Sequence, residues 1–279
     1  MIKEIIDKLV ALLAVSALLA SCSESELWQN PQTEARDGYI MLNFKTEIPA
    51  MQEVVTRAVD PDGGGVQDMT LFCFDSYGLF ISTVKAGVTV QKPGPGEMEG
   101  TFKAEVPENT RTIHFLANQN MDEFKEDSFR NKSESEVMAV LEGSSGRMIY
   151  WGRFACDAGN DSNIAEQMAT SGNSVKLIRN HARISVDNPD NNGHIVITGF
   201  AVCNTNAFGT VAPHHPKKGF DFTWPSSDDP FVTLPVNDAK MSDITDVTSS
   251  MNQYVFECEN SADAPVSVIL RGHLPDQDE

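Results

Sequence analysis

The sequence predicts an all-β fold of the β-sandwich type. Three observations carry it: apolar strands follow one another at short spacing, no strand–helix–strand rhythm repeats, and one stretch alone has a full helix signature. The chain has 279 residues, enough for two domains of ordinary size.

Tyr39–Phe44 alternates, with Ile40, Leu42 and Phe44 on one face. Val66–Phe74 sets Met69, Leu71 and Cys73 on one face and Phe72 and Phe74 on the other, which implies a central strand buried on both sides. Asp75-Ser76-Tyr77-Gly78 turns it into Leu79–Val84 as a hairpin. Lys92–Gly96 holds two prolines and two glycines and is a loop. Thr101–Val106 and Thr112–Ala117 are further strands.

Ser133 with Glu136 forms a capping box, so one short helix is expected. Val137, Val140 and Leu141 share its apolar face, and Gly143 stands where it would end. Met148–Trp151 returns to strand, Ile164–Ala169 fits a helical turn, and Val175–Val186 reads as one long strand with a polar middle.

Asn188–Gly193 is a turn-rich joint and divides an N-terminal sandwich (39–187) from a C-terminal one (188–279). Beyond it lie strands at His194–Val202, Phe231–Leu234, Tyr254–Phe256 and Val266–Leu270, with a long loop over Asn204–Asp221. About four strands are few for a closed sandwich, so this domain is expected to be truncated, or completed by another chain.

Residues 1–21 have the form of a signal peptide: Lys3 and Lys8 precede the apolar run Leu9–Ala20, which is too short to span a bilayer. Leu19-Ala20-Ser21-Cys22 resembles the lipobox of bacterial lipoproteins. That resemblance implies cleavage between Ser21 and Cys22, acylation of the Cys22 thiol, and membrane attachment through lipid alone. An ordinary secretory signal is the alternative. Residues 22–38 form an acidic tether. Its Ser23-Glu24-Ser25-Glu26 resembles the signal by which Bacteroidales send lipoproteins to the outer face of the outer membrane, and a plain solvated tether is the other reading.

The net charge of −19 argues against nucleic acid as a partner and against a basic membrane-binding patch. Lys3 and Lys8 cancel Glu4 and Asp7, so removing residues 1–21 leaves that charge unchanged. Cys73, Cys156, Cys203 and Cys258 show no metal-ligand spacing; Cys73 and Cys203 sit in apolar runs, as small core side chains do. An extracytoplasmic location permits a disulfide among the four.

The sequence carries little that resembles catalytic or metal-binding chemistry, and no enzyme, cofactor or metal is expected. Gly143-Ser144-Ser145-Gly146 lacks the spacing of a nucleophile elbow. His214-His215 has no third ligand nearby and reads as a pair of exposed loop histidines. Asp60–Gly65 opens like a calcium loop, yet Leu71 stands where the bidentate glutamate belongs. His114 and His181 fall within strand patterns and read as core or edge histidines; Asp75, Asp122 and Glu126 belong to turns and solvated faces.

Arg57, in Val55-Thr56-Arg57-Ala58-Val59-Asp60, lies in a polar linker between strands, where a trypsin-like protease could cut the Arg57–Ala58 bond. Such a cut would free the Ile40–Phe44 strand and leave a groove that another subunit's strand could fill. An uncut surface loop is the other reading.

A lipobox, a strand and then Thr56-Arg57-Ala58 together resemble the fimbrillins of Bacteroidales. Thr70–Gly78, Ile113–Asn118, Met148–Gly152 and Leu177–Ile184 add to that resemblance in the same order. It implies two transthyretin-like Greek-key sandwiches, other fimbrial subunits as partners, and a place in a surface fimbria as stalk, tip or anchor. It further implies an outer-membrane, cell-surface location before processing and arginine-specific cleavage at the position of Arg57. The alternative function is capture of a glycan or protein ligand, from a host or bacterial surface, on loops such as Gly94–Gly100 and Asn204–Lys218. A sandwich hydrolase is a third, without a nucleophile or acid pair to support it.

Overall fold

The computed structural model describes residues 35–48, 65–91, 100–144, 148–186, 195–215, 230–238, 242–246 and 252–274. Strand β1 (Tyr39–Glu47) belongs to one sheet, and β2 (Met69–Phe74) to the sheet facing it. All six residues of β2 are buried. Met69, Leu71 and Cys73 enter the core between the sheets, while Phe72 and Phe74 enter a second core on the outer face.

β2 pairs antiparallel with β3 (Phe80–Lys85) through the expected hairpin. Asp75 closes the turn, accepting the N–H groups of Tyr77 (2.8 Å) and Leu79 (3.0 Å), and Gly78 supplies the left-handed φ of +72°. Next come β4 (Gly87–Gln91), β5 (Gly100–Pro107) and β6 (Thr112–Ala117).

Helix α1 (Glu134–Met138) starts at Ser133 with both halves of the capping box made. It is shorter than the sequence implies, ending at Met138 with Ala139 as its C-cap. Its buried residues are Val137 and Met138; Val140 is 51% exposed, and Gly143, expected to stop the helix, lies in β7 (Glu142–Ser144). β8 (Tyr150–Ala155) follows, then α2 (Ile164–Thr170), a second described helix at the helical turn expected over Ile164–Ala169. Asn163 and Glu166 form its capping box, a pattern visible in the sequence.

The expected long strand at 175–186 is three short ones: β9 (Ser174–Lys176), β10 (Ile178–Arg179) and β11 (His181–Ser185). β9 lies parallel to β1, β10 pairs with β8, and β11 pairs with β15 (Asn252–Phe256). The chain thus passes from one sheet to the other and then to a third partner, and each change of partner breaks the strand. The first sandwich therefore has a four-stranded sheet, β4-β5-β1-β9, against a five-stranded one, β10-β8-β6-β2-β3.

The remaining segments contain β12 (Val196–Cys203), β13 (Phe208–Thr210), β14 (Thr245–Asp246) and β16 (Ser267–His273). β14, β12 and β16 form a three-stranded sheet, while β13 lies within the expected long loop and pairs with β7. Phe231–Leu234, read as a strand, is irregular. Its apolar residues serve as a cover: Val232, with Val211 and Ala212, is buried over Phe72, Trp151 and Ile178 on the outer face of the five-stranded sheet.

Phe256 sits where these parts meet. Gly143 and Gly209 are cross-strand partners, and a Cβ on Gly209 would run into the Phe256 ring. The same ring lies 3.8 Å from that of His181, its neighbour across the β11–β15 pair. The joint at Asn188–Gly193 lies outside the described residues.

Candidate assembly site

β1 carries the three strand residues singled out in the sequence, and all point into the core: Ile40, Leu42 and Phe44 are buried. Opposite them on β5 stand Val106, Ala104 and Phe102 in turn. Phe44 stacks on Phe102 (centroids 5.5 Å) and meets Phe115 of β6 edge-on (5.0 Å). The strand lies inside its sheet, with β5 on one side along Tyr39–Thr46 and β9 on the other along Lys45–Glu47.

The parallel side is held by Lys45 N–H donating to Asn173 O and Leu177 N–H donating to Glu47 O, both at 2.8 Å. Ser174 Oγ donates to the Glu47 carboxylate. At the other end, Arg36 Nε donates to Glu105 at 2.7 Å; with Arg36 68% exposed, this pair contributes little.

Fully burying a Leu, Ile or Phe side chain is worth about 1.5–3 kcal/mol. Ile40, Leu42 and Phe44 together therefore contribute an upper figure of roughly 5–9 kcal/mol, comparable to the whole stability of many domains. Without β1 the groove would be walled by Phe102, Ala104 and Val106 on one side and Val175 and Leu177 on the other, over Leu71 and Phe115. An apolar slot with unpaired backbone along β5 and at the β9 end fits an extended strand with alternating apolar residues.

Of the other residues singled out in the sequence, Ser21, Cys22, Arg57 and Ala58 lie outside the described residues, as do Asp60–Gly64 of the incomplete calcium loop. Among the described residues no three His, Cys, Asp or Glu side chains are grouped to hold a metal ion. His214 and His215 are half-buried, not exposed: His214 Nδ1 donates to Val232 O (2.6 Å), and its backbone N–H reaches Glu257 (3.1 Å). Cys73 is fully buried; Cys203, expected in the core, is half-buried, and all four described cysteines are free.

A buried ionic cluster has no counterpart among the expected sites. Glu134, the first residue of α1, accepts from Arg153 Nε (2.7 Å) and Nη2 (3.0 Å) and from His114 Nε2 (2.6 Å). Burial pushes the Glu134 carboxyl up, but these hydrogen bonds and the Arg153 charge outweigh it and hold the pKa at about 2. Burial lowers the His114 pKa, keeping the ring neutral, and Phe231 stacks over it at 5.7 Å. With Nε2 bonded to Glu134 and Nδ1 accepting from the Trp151 indole N–H, the cluster fastens α1 and the 231–232 cover to the sheet.

No protein-family model matches the chain, and no curated protein matches its sequence. Among solved structures it is similar to a fimbrial assembly protein from Parabacteroides distasonis, with 13% identity and a TM-score of 0.43, covering 86% of this chain and 84% of that one. It is also similar to the tip fimbrial protein Mfa3 from Porphyromonas gingivalis in a C-terminally truncated form, with 15% identity, a TM-score of 0.44, and coverage of 80% and 71%.

Proposed function

We propose that this chain is a non-enzymatic structural or adhesive subunit of a cell-surface fimbria, made as a lipoprotein anchored at Cys22 and assembled by strand exchange. In this reading residues 39–187 and 188–279 are its two sandwich domains, and the anchored precursor sits on the outer membrane. The observation that carries it is the place of β1. It is the one described strand that precedes Arg57 in sequence, and it lies between two partners over the core. The order of motifs that resembles the fimbrillins supports the same reading.

Cutting after Arg57 would leave β1 noncovalently held. The burial of Ile40, Leu42 and Phe44 keeps it seated until an incoming strand with similar alternation takes its place. Loss and replacement are then one exchange, which avoids an empty groove that would aggregate.

Limited trypsin treatment of the purified lipidated precursor tests this. One early cut after Arg57, followed by oligomers on size exclusion, is expected. Indiscriminate cutting, or a product cut at Arg57 that stays monomeric beside added subunit, would remove the assembly part of the proposal.

A further inference from the structure

We infer that β1 is a mechanical clamp: in the intact chain, tension between the N-terminal end and the far end is borne by shearing β1 against β5 and β9 together. Strand direction is the reason. β1 is entered from its N-terminal end at Tyr39, and β9 runs parallel to it and leads on through β10 and β11 toward the rest of the chain. Two neighbouring parallel strands pulled from opposite termini are drawn past each other along their length. Their bonds are then loaded together instead of being opened one at a time.

The other flank adds to this. Eight residue pairs join β1 to β5, and antiparallel ladder bonds stand perpendicular to the strands, so a pull along β1 also loads them side by side. Ile40, Leu42 and Phe44 are buried in the core beside their partners Val106, Ala104 and Phe102, so sliding along β5 must drag them out of that packing. The far end of the load path is tied in as well: β11 pairs with β15, and Phe256 of β15 packs against the Gly143–Gly209 pair.

The clamp rests on the lipid-anchor reading only for the origin of the load, since a chain held at Cys22 and pulled at its far end would be loaded in this way. The geometry itself belongs to the fold. Under this arrangement the strand whose exchange would drive assembly is the one that holds the uncut chain together under tension.

The fold supplies its own control. Asn109 lies in the exposed turn just beyond β5, and Tyr39 is paired with Pro107. Handles at the N-terminal end and at Asn109 would therefore peel β1 from β5 pair by pair, starting at Tyr39. In single-molecule force spectroscopy on the full chain, the first geometry has handles at the two chain ends. The second has one at the N-terminal end and one coupled at residue 109. At equal loading rate, the step that frees β1 is expected at a force at least about twofold higher end to end than in the peeling geometry. Equal forces, or a lower force end to end, would overturn the inference. The measurement needs neither lipid, protease nor a second subunit, so its failure is separate from failure of the assembly proposal.

Discussion

Trp151 donates its indole N–H to Nδ1 of His114 at 3.0 Å, and this fixes which nitrogen of the histidine holds the proton. With Nδ1 accepting, Nε2 must carry hydrogen and donates it to Glu134, which Arg153 grips from the other side. Protonating His114 requires displacing the indole, in a site where the ring has no exposure. The chain from Trp151 to Arg153 is thus satisfied in one protonation state only.

Stability should fall in acid. His114 has a folded pKa below its ordinary 6.5, and His181 is lowered by burial from 6.5 to about 4; in both cases the unfolded chain takes up a proton first. The stability these groups lend is complete above about pH 6.5 and declines below it. Glu134, held at about 2 against an ordinary 4.5, adds a second loss between those values, on the order of 3 kcal/mol. Urea unfolding followed from pH 7.5 to 3 should show the midpoint dropping from near pH 6.5, more steeply below 4.5. A flat profile down to pH 4 would contradict the buried neutral histidines.

Thr46 in β1 is fully buried, and its Oγ1 has no hydrogen-bond partner among the described residues. Thr46→Val keeps the shape and removes the unpaired hydroxyl. It should stabilise the protein by about 1 kcal/mol, read as a higher urea midpoint at unchanged slope.

Gly209→Ala should destabilise by about 1–3 kcal/mol, because the new methyl meets the Phe256 ring. If that collision is the cause, Phe256→Ala in the same chain will cost less than it does alone. A double-mutant cycle with purely additive effects would count against it.

Cys73 should resist alkylation in the folded protein. Burial pushes its thiol up to about 12, so almost no thiolate exists at pH 8, and the side chain has no exposure. Cys156, Cys203 and Cys258 are partly exposed and should react with iodoacetamide first. Mass spectrometry of labelled peptides over time would read the order, with Cys73 labelled only after denaturant is added.

Much of the first sandwich was legible because its strands announce themselves by alternation. Ile40, Leu42 and Phe44 could be assigned to the core from spacing alone, and Phe72 beside Cys73 already implied two cores. What could not be read depends on partners far off in the chain. Val175–Val186 reads as one strand in the sequence, and only the tertiary arrangement breaks it into three. Phe231 and Val232 are apolar because they cover a sheet, and Val140 is exposed because it lies just past the C-cap of α1, Ala139. The ionic cluster was invisible for the same reason: Glu134 lies 20 residues from His114 and 19 from Arg153, with no motif linking them.

The threefold division of 174–185 also limits how this segment can change over time. Leu177 alone separates β9 from β10, and Asn180 alone separates β10 from β11. No slack exists between three pairings with three different partners. A one-residue insertion in this stretch would turn every later side chain to the opposite face, moving Ile178 out of its core and Phe256 off its partner His181. Among variants of this chain, length differences should therefore gather elsewhere, while this twelve-residue run (174–185) keeps its count even where its residues differ.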